Sequence, residues 1–383
     1  MTSLRAERDQ AATEQRRGQL SVGLAVGVVV AAVAGLLALA GGRPVPPGRS
    51  AYDAGTTDPW RRRCPVLVGF AEQVRELRFR TPPQVEVVDA AAYARARAEP
   101  VGAAEGTSDR ASTTRALGLA ATPPAGAPPA HYSYSRQTVY VRRGEVFDTY
   151  ARVVLLRELT RALQDQSFGV LRLLRTAAAD ADRSRALSAL VEGDAARVEA
   201  AYAATLPAAE RTAVQARRPP ARGTYPQLER AFPATVGLDF ATALADRGGN
   251  QAVDGAFARP PVSTAQVIDP REFLAGVEPL GVRPPPGEGR RVDAGTLGQF
   301  GLAALVTGGR RVLNVSSTSK WLGDSYGTFR TAGGLYTYGS VVLADTAARD
   351  QMIRDLSVWL ATRRGRAEVT RSAERGLRLR SCV

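Results

Sequence analysis

The chain has 383 residues, enough for one or two domains, and 44% of them are hydrophobic, enough to bury a sizeable core. Its formal charge is +14, carried by 51 basic residues among which Lys320 is the only lysine. One histidine, His131, serves the whole chain, and that excludes any site needing two imidazoles.

Residues 1–17 are polar, with four Arg against three acids, so +13 of the charge lies beyond them. Residues 18–42 (GQLSVGLAVGVVVAAVAGLLALAGG) carry no charge. Their apolar centre, Leu20–Ala40, has about the length that crosses a bilayer as a helix. Arg16 and Arg17 precede it, which sets the N-terminus in the cytoplasm. The expected reading is a cytoplasmic tail (1–17) and a transmembrane signal anchor (18–42). The alternative is a cleaved signal peptide ending near Ala38-Leu39-Ala40. Either reading places the remainder outside the cytoplasm, and the first makes the protein a single-pass membrane protein whose partner is the membrane through residues 18–42.

Residues 43–60 form a Pro/Gly-rich stalk without periodicity, and 61–383 a single ectodomain. Cys64 and Cys382, the only cysteines, stand near its two ends. In an oxidising compartment the pair reads as a disulfide, with two free thiols as the alternative.

Phe70–Phe79 reads as a short helix, Gln84–Val88 as a strand and Asp89–Ala98 as a helix. A short helix near Thr114–Leu119 precedes the loop ATPPAGAPPA. His131 falls just after it and reads as a loop histidine before a strand. Gln137–Arg142 alternates as that strand and leads into a long amphipathic helix, Phe147–Gly169. Asp148 or Thr149 caps its start and Gly169 closes it. A second long helix, Asp182–Leu206, repeats Leu187, Val191, Asp194, Val198 and Tyr202 at helical spacing. Within it Gly193 costs about 1 kcal/mol against alanine, so close packing is expected there, against the first long helix. Ala208–Arg217, Leu238–Arg247 (followed by Gly248-Gly249) and Thr296–Val306 read as further helices. Ser263 or Thr264 caps a short turn in Arg259–Phe273. From Arg311 the pattern turns to strands with Gly-containing turns, before a helix at Ala347–Arg363 and a basic tail. The fold class is α+β, helix-rich in the middle, with strands before the central helix and near the C-terminus.

Chemistry is concentrated in the first long helix. Leu155, Leu156, Leu159 and Leu163 gather on one side, Arg157 and Arg161 on the other, and Glu158 beside them. The spacing of Arg157, Glu158 and Arg161 is that of H-E-x-x-H with both histidines replaced. In the intact motif two imidazoles at i and i+4 bind zinc and the Glu acts as general base. Arginine has no lone pair to offer a metal. Read alone, the two Arg describe a solvated helix face. No G-x-S-x-G, no Cys–His set and no Gly-rich phosphate loop appears elsewhere.

Several segments together resemble a group of secreted or anchored bacterial proteins built on an H-E-x-x-H zinc metallopeptidase core of the gluzincin-like kind. They are QTVYVRRGE, RELTRALQDQSFG, ALVEGDA, ARPPVSTAQVIDPREF, LGQFGL and KWLGDSY, and they span most of Val66–Arg363. The resemblance implies a metallopeptidase-like fold in which Arg157 and Arg161 stand for the two His, Glu158 for the general base and Glu192 for the third zinc ligand. Asp269 and Gln299 stand where relatives often carry His and Glu. Two carboxylates do not make a tetrahedral zinc site. The expectation is therefore a pseudoenzyme without metal or cofactor, in which Arg157, Arg161, Glu158, Glu192 and Asp194 form a salt-bridge network in place of zinc. It would bind or scaffold at the cell surface, with a wall polymer or peptide as ligand and no nucleic acid. The alternatives are a hydrolase working through Glu158, Glu192 and Asp194, or a basic wall- or lipid-associated module.

Overall fold

The computed structural model describes residues 58–99, 109–119, 126–218, 223–307, 315, 318–363 and 365–383. Helix α1 (Pro59–Arg75) starts at Asp58, whose carboxylate accepts the Trp60 N–H at 2.9 Å. Strand β1 (Gln84–Val88), helices α2 (Ala90–Ala98) and α3 (Arg110–Ala116), and strands β2 (Ala130–Ser133) and β3 (Thr138–Arg142) follow. The three strands form one sheet in the order β1-β3-β2, with β1 parallel and β2 antiparallel to β3. His131 therefore lies in an edge strand, not in a loop. The sequence hides β2 because four residues between turn-formers give too short a period-2 signal.

Helix α4 (Thr149–Phe168) is capped by Asp148, which accepts the Ala151 N–H at 2.8 Å, and ends on Gly169 with φ 66°. Glycine suits that left-handed position. After α5 (Val170–Ala177) comes α6 (Ala181–Ala204), capped by Asp180. Then α7 (Ala208–Ala216) leads to α8 (Tyr225–Ala258), two helical stretches joined across non-helical Gly248 and Gly249. The expected helix Leu238–Arg247 is thus only the middle of α8.

Gly193 does mark a close approach, but to α8 rather than α4. A β-carbon at Gly193 would lie 2.0 Å from the Gly237 carbonyl oxygen, and one at Gly237 would lie 2.3 Å from that of Ala189. The two glycines let the backbones of α6 and α8 touch.

Short helices α9 (Thr264–Ile268) and α10 (Pro270–Leu274) precede β4 (Arg290–Gly295) and α11 (Gly298–Val306), whose every residue is buried. The hairpin β5 (Trp321–Thr331) and β6 (Gly334–Leu343), helices α12 (Thr346–Asp355) and α13 (Ser357–Arg363), and strands β7 (Ala367–Arg371) and β8 (Gly376–Cys382) complete the chain. The second sheet is antiparallel throughout, in the order β4-β5-β6-β8-β7. The strand expected from Arg311 to Val315 lies outside the described residues but for Val315.

One buried carboxylate, Asp182, locks this half to α6, and a second, Asp324, ties α11 to β5 within it. Asp182 accepts the Thr264 N–H at 3.0 Å and its hydroxyl at 2.6 Å, and the same hydroxyl oxygen accepts the Phe300 N–H at 3.1 Å. Asp324 accepts the N–H groups of Leu297 at 2.8 Å, Gly298 at 2.9 Å and the Trp321 indole at 2.9 Å. Gly298, at φ 71°, fits between them. A β-carbon there would meet the Asp182 carboxylate at 1.8 Å. One apolar core joins both sheets to the helices, from Val85 and Val139 through Leu155, Leu159, Leu190 and Phe300 to Val341 and Leu379.

Two expectations are corrected. The transmembrane helix, and with it the single-pass membrane location, is not supported: among the described residues no helix is long and apolar enough to cross a membrane. The longest, α8, carries Glu229, Arg230, Asp239, Asp246, Arg247 and Asp254, too many charges for a hydrocarbon core. The run 18–42 on which the reading rested lies outside the described residues.

The disulfide is also absent, since Cys64 and Cys382 are both free. Cys64 is buried in α1, a helix that packs on α4 and α6, while Cys382 ends β8 opposite Tyr336. Their separate elements, rather than a covalent tie, hold the two ends of the described chain. Burial pushes the Cys64 thiol up to about 12.

Candidate functional site

Helix α4 packs one flank on α6 and another on the edge strand β2. Its leucines 155, 156, 159 and 163 are fully buried, as their stripe requires. Arg157, Glu158 and Arg161 do not face solvent. The side chains of Arg157 and Arg161 are 23% and 15% exposed and that of Glu158 only 6%. The solvated-face reading therefore fails, because α6 and β2 cover this flank.

Both guanidinium groups converge on one carboxylate. Arg157 Nε lies 3.2 Å from Glu192 Oε2, and Arg161 Nε lies 3.3 Å from Glu192 Oε1. Arg161 also donates from Nη1 to Glu158 Oε2 at 3.0 Å and from Nε to the Tyr134 hydroxyl at 3.2 Å, with its guanidinium 5.2 Å from the Tyr134 ring centre. Glu158 Oε2 accepts a second bond, from the Tyr132 backbone N–H of β2, at 2.7 Å. Seven residues beyond Glu192, two helical turns along the same stripe, Glu199 lies 3.5 Å from Arg157 Nη1 and pairs with Arg218. Three carboxylates thus face three guanidinium groups, and their formal charges balance.

The ionisation of these groups follows from that arrangement. Burial raises the Glu158 carboxyl above its ordinary range despite Arg161. Burial pushes Glu192 the same way, but Arg161 and Arg157 outweigh it and hold the carboxyl below its usual value. Burial works against the charge on Arg157 and Arg161, yet Glu192 with Glu199, and Glu158 with Glu192, hold both guanidinium groups above their ordinary value. His131 lies within the field of the same cluster. Burial, Arg161 and Arg97 depress its imidazole to about 4, against an opposing pull from Glu192. It is neutral near pH 7.

Asp194 does not join this network. Two positions from Glu192 on a helix is roughly 200° of rotation, so Asp194 faces the opposite side. There it meets Arg75, which donates from Nε at 2.7 Å, and Gln164, which donates at 2.9 Å. Arg75 is wholly buried and also bonds Asn250 at 2.9 Å and Asp254 at 2.6 Å. Arg197 reaches both Asn250, at 2.5 Å, and Asp194, at 3.2 Å. This second cluster ties α1, α4, α6 and α8 together. Arg75 and Asn250 carry no sequence signal for it, being a lone Arg and a lone Asn far apart in the chain.

Two further positions singled out in the sequence lie elsewhere. Asp269 caps α10 and grips Arg271 at 2.8 and 2.6 Å at the surface. Gln299 is buried and donates to the Val315 carbonyl at 3.2 Å.

The donor set does not fit zinc. The two positions that would carry imidazoles hold guanidinium groups without lone pairs, and among the described residues no three His, Cys, Asp or Glu side chains are grouped to hold a metal ion. Two cavities lie away from the cluster. A cavity of about 570 Å³ lies at the C-terminal end of α4, lined by Arg80, Gln137, Gln166, Phe168 and Arg172 among others, and one of about 200 Å³ lies between Glu272, Leu280 and Trp321. Neither is lined by Glu158 or Glu192.

Comparison with known proteins yields no match, whether to protein-family models, to curated proteins or to solved structures.

Proposed function

We propose that the chain is a metallopeptidase-like pseudoenzyme that works without zinc, as a binding or scaffolding protein. One observation carries the reading: Arg157 and Arg161, at the two positions where H-E-x-x-H places histidines, both close on Glu192, the position of the third ligand. Two guanidinium charges equal the charge of a zinc ion and neutralise carboxylates that would otherwise repel.

The residues of the EGDA segment also have uses that need no metal. Glu192 takes the two arginines, Gly193 admits α8, Asp194 anchors Arg75, and Ala195 is fully buried.

The competing reading, hydrolysis through the remaining carboxylates, meets a geometric obstacle. A general base must present a free lone pair to its substrate. Glu158 is buried and held by Tyr132 and Arg161, and Asp194 faces into the second cluster. The test is zinc content and peptidase activity of the purified chain. The expected result is no zinc and no cleavage. Stoichiometric zinc and cleavage, both lost in Glu192→Gln, would overturn the proposal.

A further inference from the structure

We infer that the outer face of the second sheet, across β6 and β8, is a binding surface for an acidic polysaccharide. Strand alternation builds it. β6 turns Leu335, Thr337, Val341 and Leu343 into the core and leaves Tyr336, Tyr338 and Ser340 partly exposed. β8 buries Leu377, Leu379 and Ser381 and exposes Arg378 and Arg380. The register sets Tyr338 opposite Arg380 and Ser340 opposite Arg378, and Thr370 of β7 extends the latter row. Over β5 the same face is closed: Gly287 packs on the Phe329 ring and Gly289 on the Arg330 carbonyl. The open area is therefore bounded on one side and ends at the edge strand β7.

Charge and shape select the partner. The Arg380 guanidinium lies 5.3 Å from the Tyr336 ring centre and 5.9 Å from that of Tyr338, so the rings hold it in place while its N–H edges stay free. Among the described residues neither Arg378 nor Arg380 is ion-paired. Glu368, opposite Arg380 on β7, makes no ion pair with it. Two arginine forks on a chain of net charge +14 suit carboxylates, which they grip in a bidentate manner. Ser340, Thr370 and the tyrosine hydroxyls supply donors and acceptors for sugar hydroxyls. Single-stranded nucleic acid fits less well, because it needs ring faces on which to stack bases. Here Arg380 covers both rings, and Phe329 packs edge-on against Tyr338 at 5.9 Å. This inference is independent of the ion-pair cluster on α4.

The experiment titrates the full chain with a fluorescent oligogalacturonate and follows anisotropy at several salt concentrations. The expected result is salt-sensitive binding that falls at least about tenfold in Arg378→Gln/Arg380→Gln, since about 1.4 kcal/mol from the two forks is a tenfold change. The single variant Arg378→Gln leaves the Tyr–Arg380 stack intact and is expected to fold as wild type and bind several-fold more weakly. No binding at low salt overturns the inference. So does an equal loss in Arg80→Gln/Arg172→Gln, which would mean diffuse charge attraction. Equally tight binding of an oligothymidylate, lost in the same β8 variants, would make the face a nucleic-acid surface instead.

Discussion

Replacing Arg161 by methionine removes the charge that holds the α4–α6–β2 cluster together and keeps much of its volume. Glu158 would keep one donor, the Tyr132 N–H at 2.7 Å, and lose the guanidinium at 3.0 Å. Glu192 would keep Arg157 at 3.2 Å. The exposures decide the magnitude. An exposed ion pair is worth about 0–1 kcal/mol, but Arg161 and Glu158 are 15% and 6% exposed. Breaking a buried pair costs about 3–5 kcal/mol, because a charge is left uncompensated. Urea denaturation at pH 7 should therefore show Arg161→Met destabilised by about 3–5 kcal/mol, read from the midpoint at unchanged slope. Adding Glu158→Gln removes the stranded charge and leaves an oxygen for the Tyr132 N–H. The double variant should be more stable than Arg161→Met alone, with a coupling of about 1–3 kcal/mol.

The pH dependence has a definite sign. Burial already raises Glu158, and without Arg161 it rises further, so the folded variant takes up a proton more readily than its unfolded chain. The deficit of the single variant should shrink as pH is lowered from 7 toward 5. A loss below about 1 kcal/mol at pH 7, with no coupling to Glu158→Gln, would refute the reasoning and mean that solvent screens the pair.

Other outcomes follow from the same structure. The single histidine makes proton NMR unambiguous, and the His131 ring signals should titrate near pH 4; a midpoint near 6.5 would mean that the imidazole is solvated and away from Arg161. Gly193→Ala should destabilise by about 1–3 kcal/mol or more by thermal denaturation, because its methyl would meet the Gly237 carbonyl, whereas a neutral effect would deny the α6–α8 contact. Arg75→Met should cost about 3–5 kcal/mol, since it strands Asp194, and Arg75→Met/Asp194→Asn should recover part of it. Burial pushes Asp182 up to about 7, so the folded chain keeps a proton that the unfolded chain releases near 4, and this group's contribution to stability falls as pH rises from about 4 to 7. Asp182→Asn should therefore gain stability relative to wild type over that range, by at most about 4 kcal/mol at pH 7 given about 1.4 kcal/mol per pH unit; a difference that does not change with pH would contradict it.

The helices carrying the cluster were legible because caps and periodicity agreed: Asp148, Gly169 and the leucine stripe bound α4, whereas the Arg157–Glu192 and Arg161–Glu192 pairs were expected only from the metallopeptidase resemblance, which set Glu192 beside that helix. What covers the flank was not legible. β2 is too short to announce itself, and its Tyr132 N–H and Tyr134 hydroxyl complete the shell. Asp194, two positions from Glu192 in sequence, falls in the other cluster because rotation about the helix axis turns it to the opposite face. β8 could have been read: Leu377, Leu379 and Ser381 alternate with Arg378 and Arg380, but the arginines made the segment look like a tail. The disulfide expectation failed for a different reason, since an even cysteine count carries no information about distance.

Under the proposed reading, Arg157 and Arg161 occupy positions whose backbone suits a metal site. Titrating zinc into the folded double variant Arg157→His/Arg161→His by calorimetry tests it most directly. The account predicts one zinc per chain in the double variant, none at this site in wild type, and loss of binding when Glu192→Gln is added. Wild-type chain that takes up one zinc and loses it on Glu192→Gln, or a folded double variant that binds none, would contradict it.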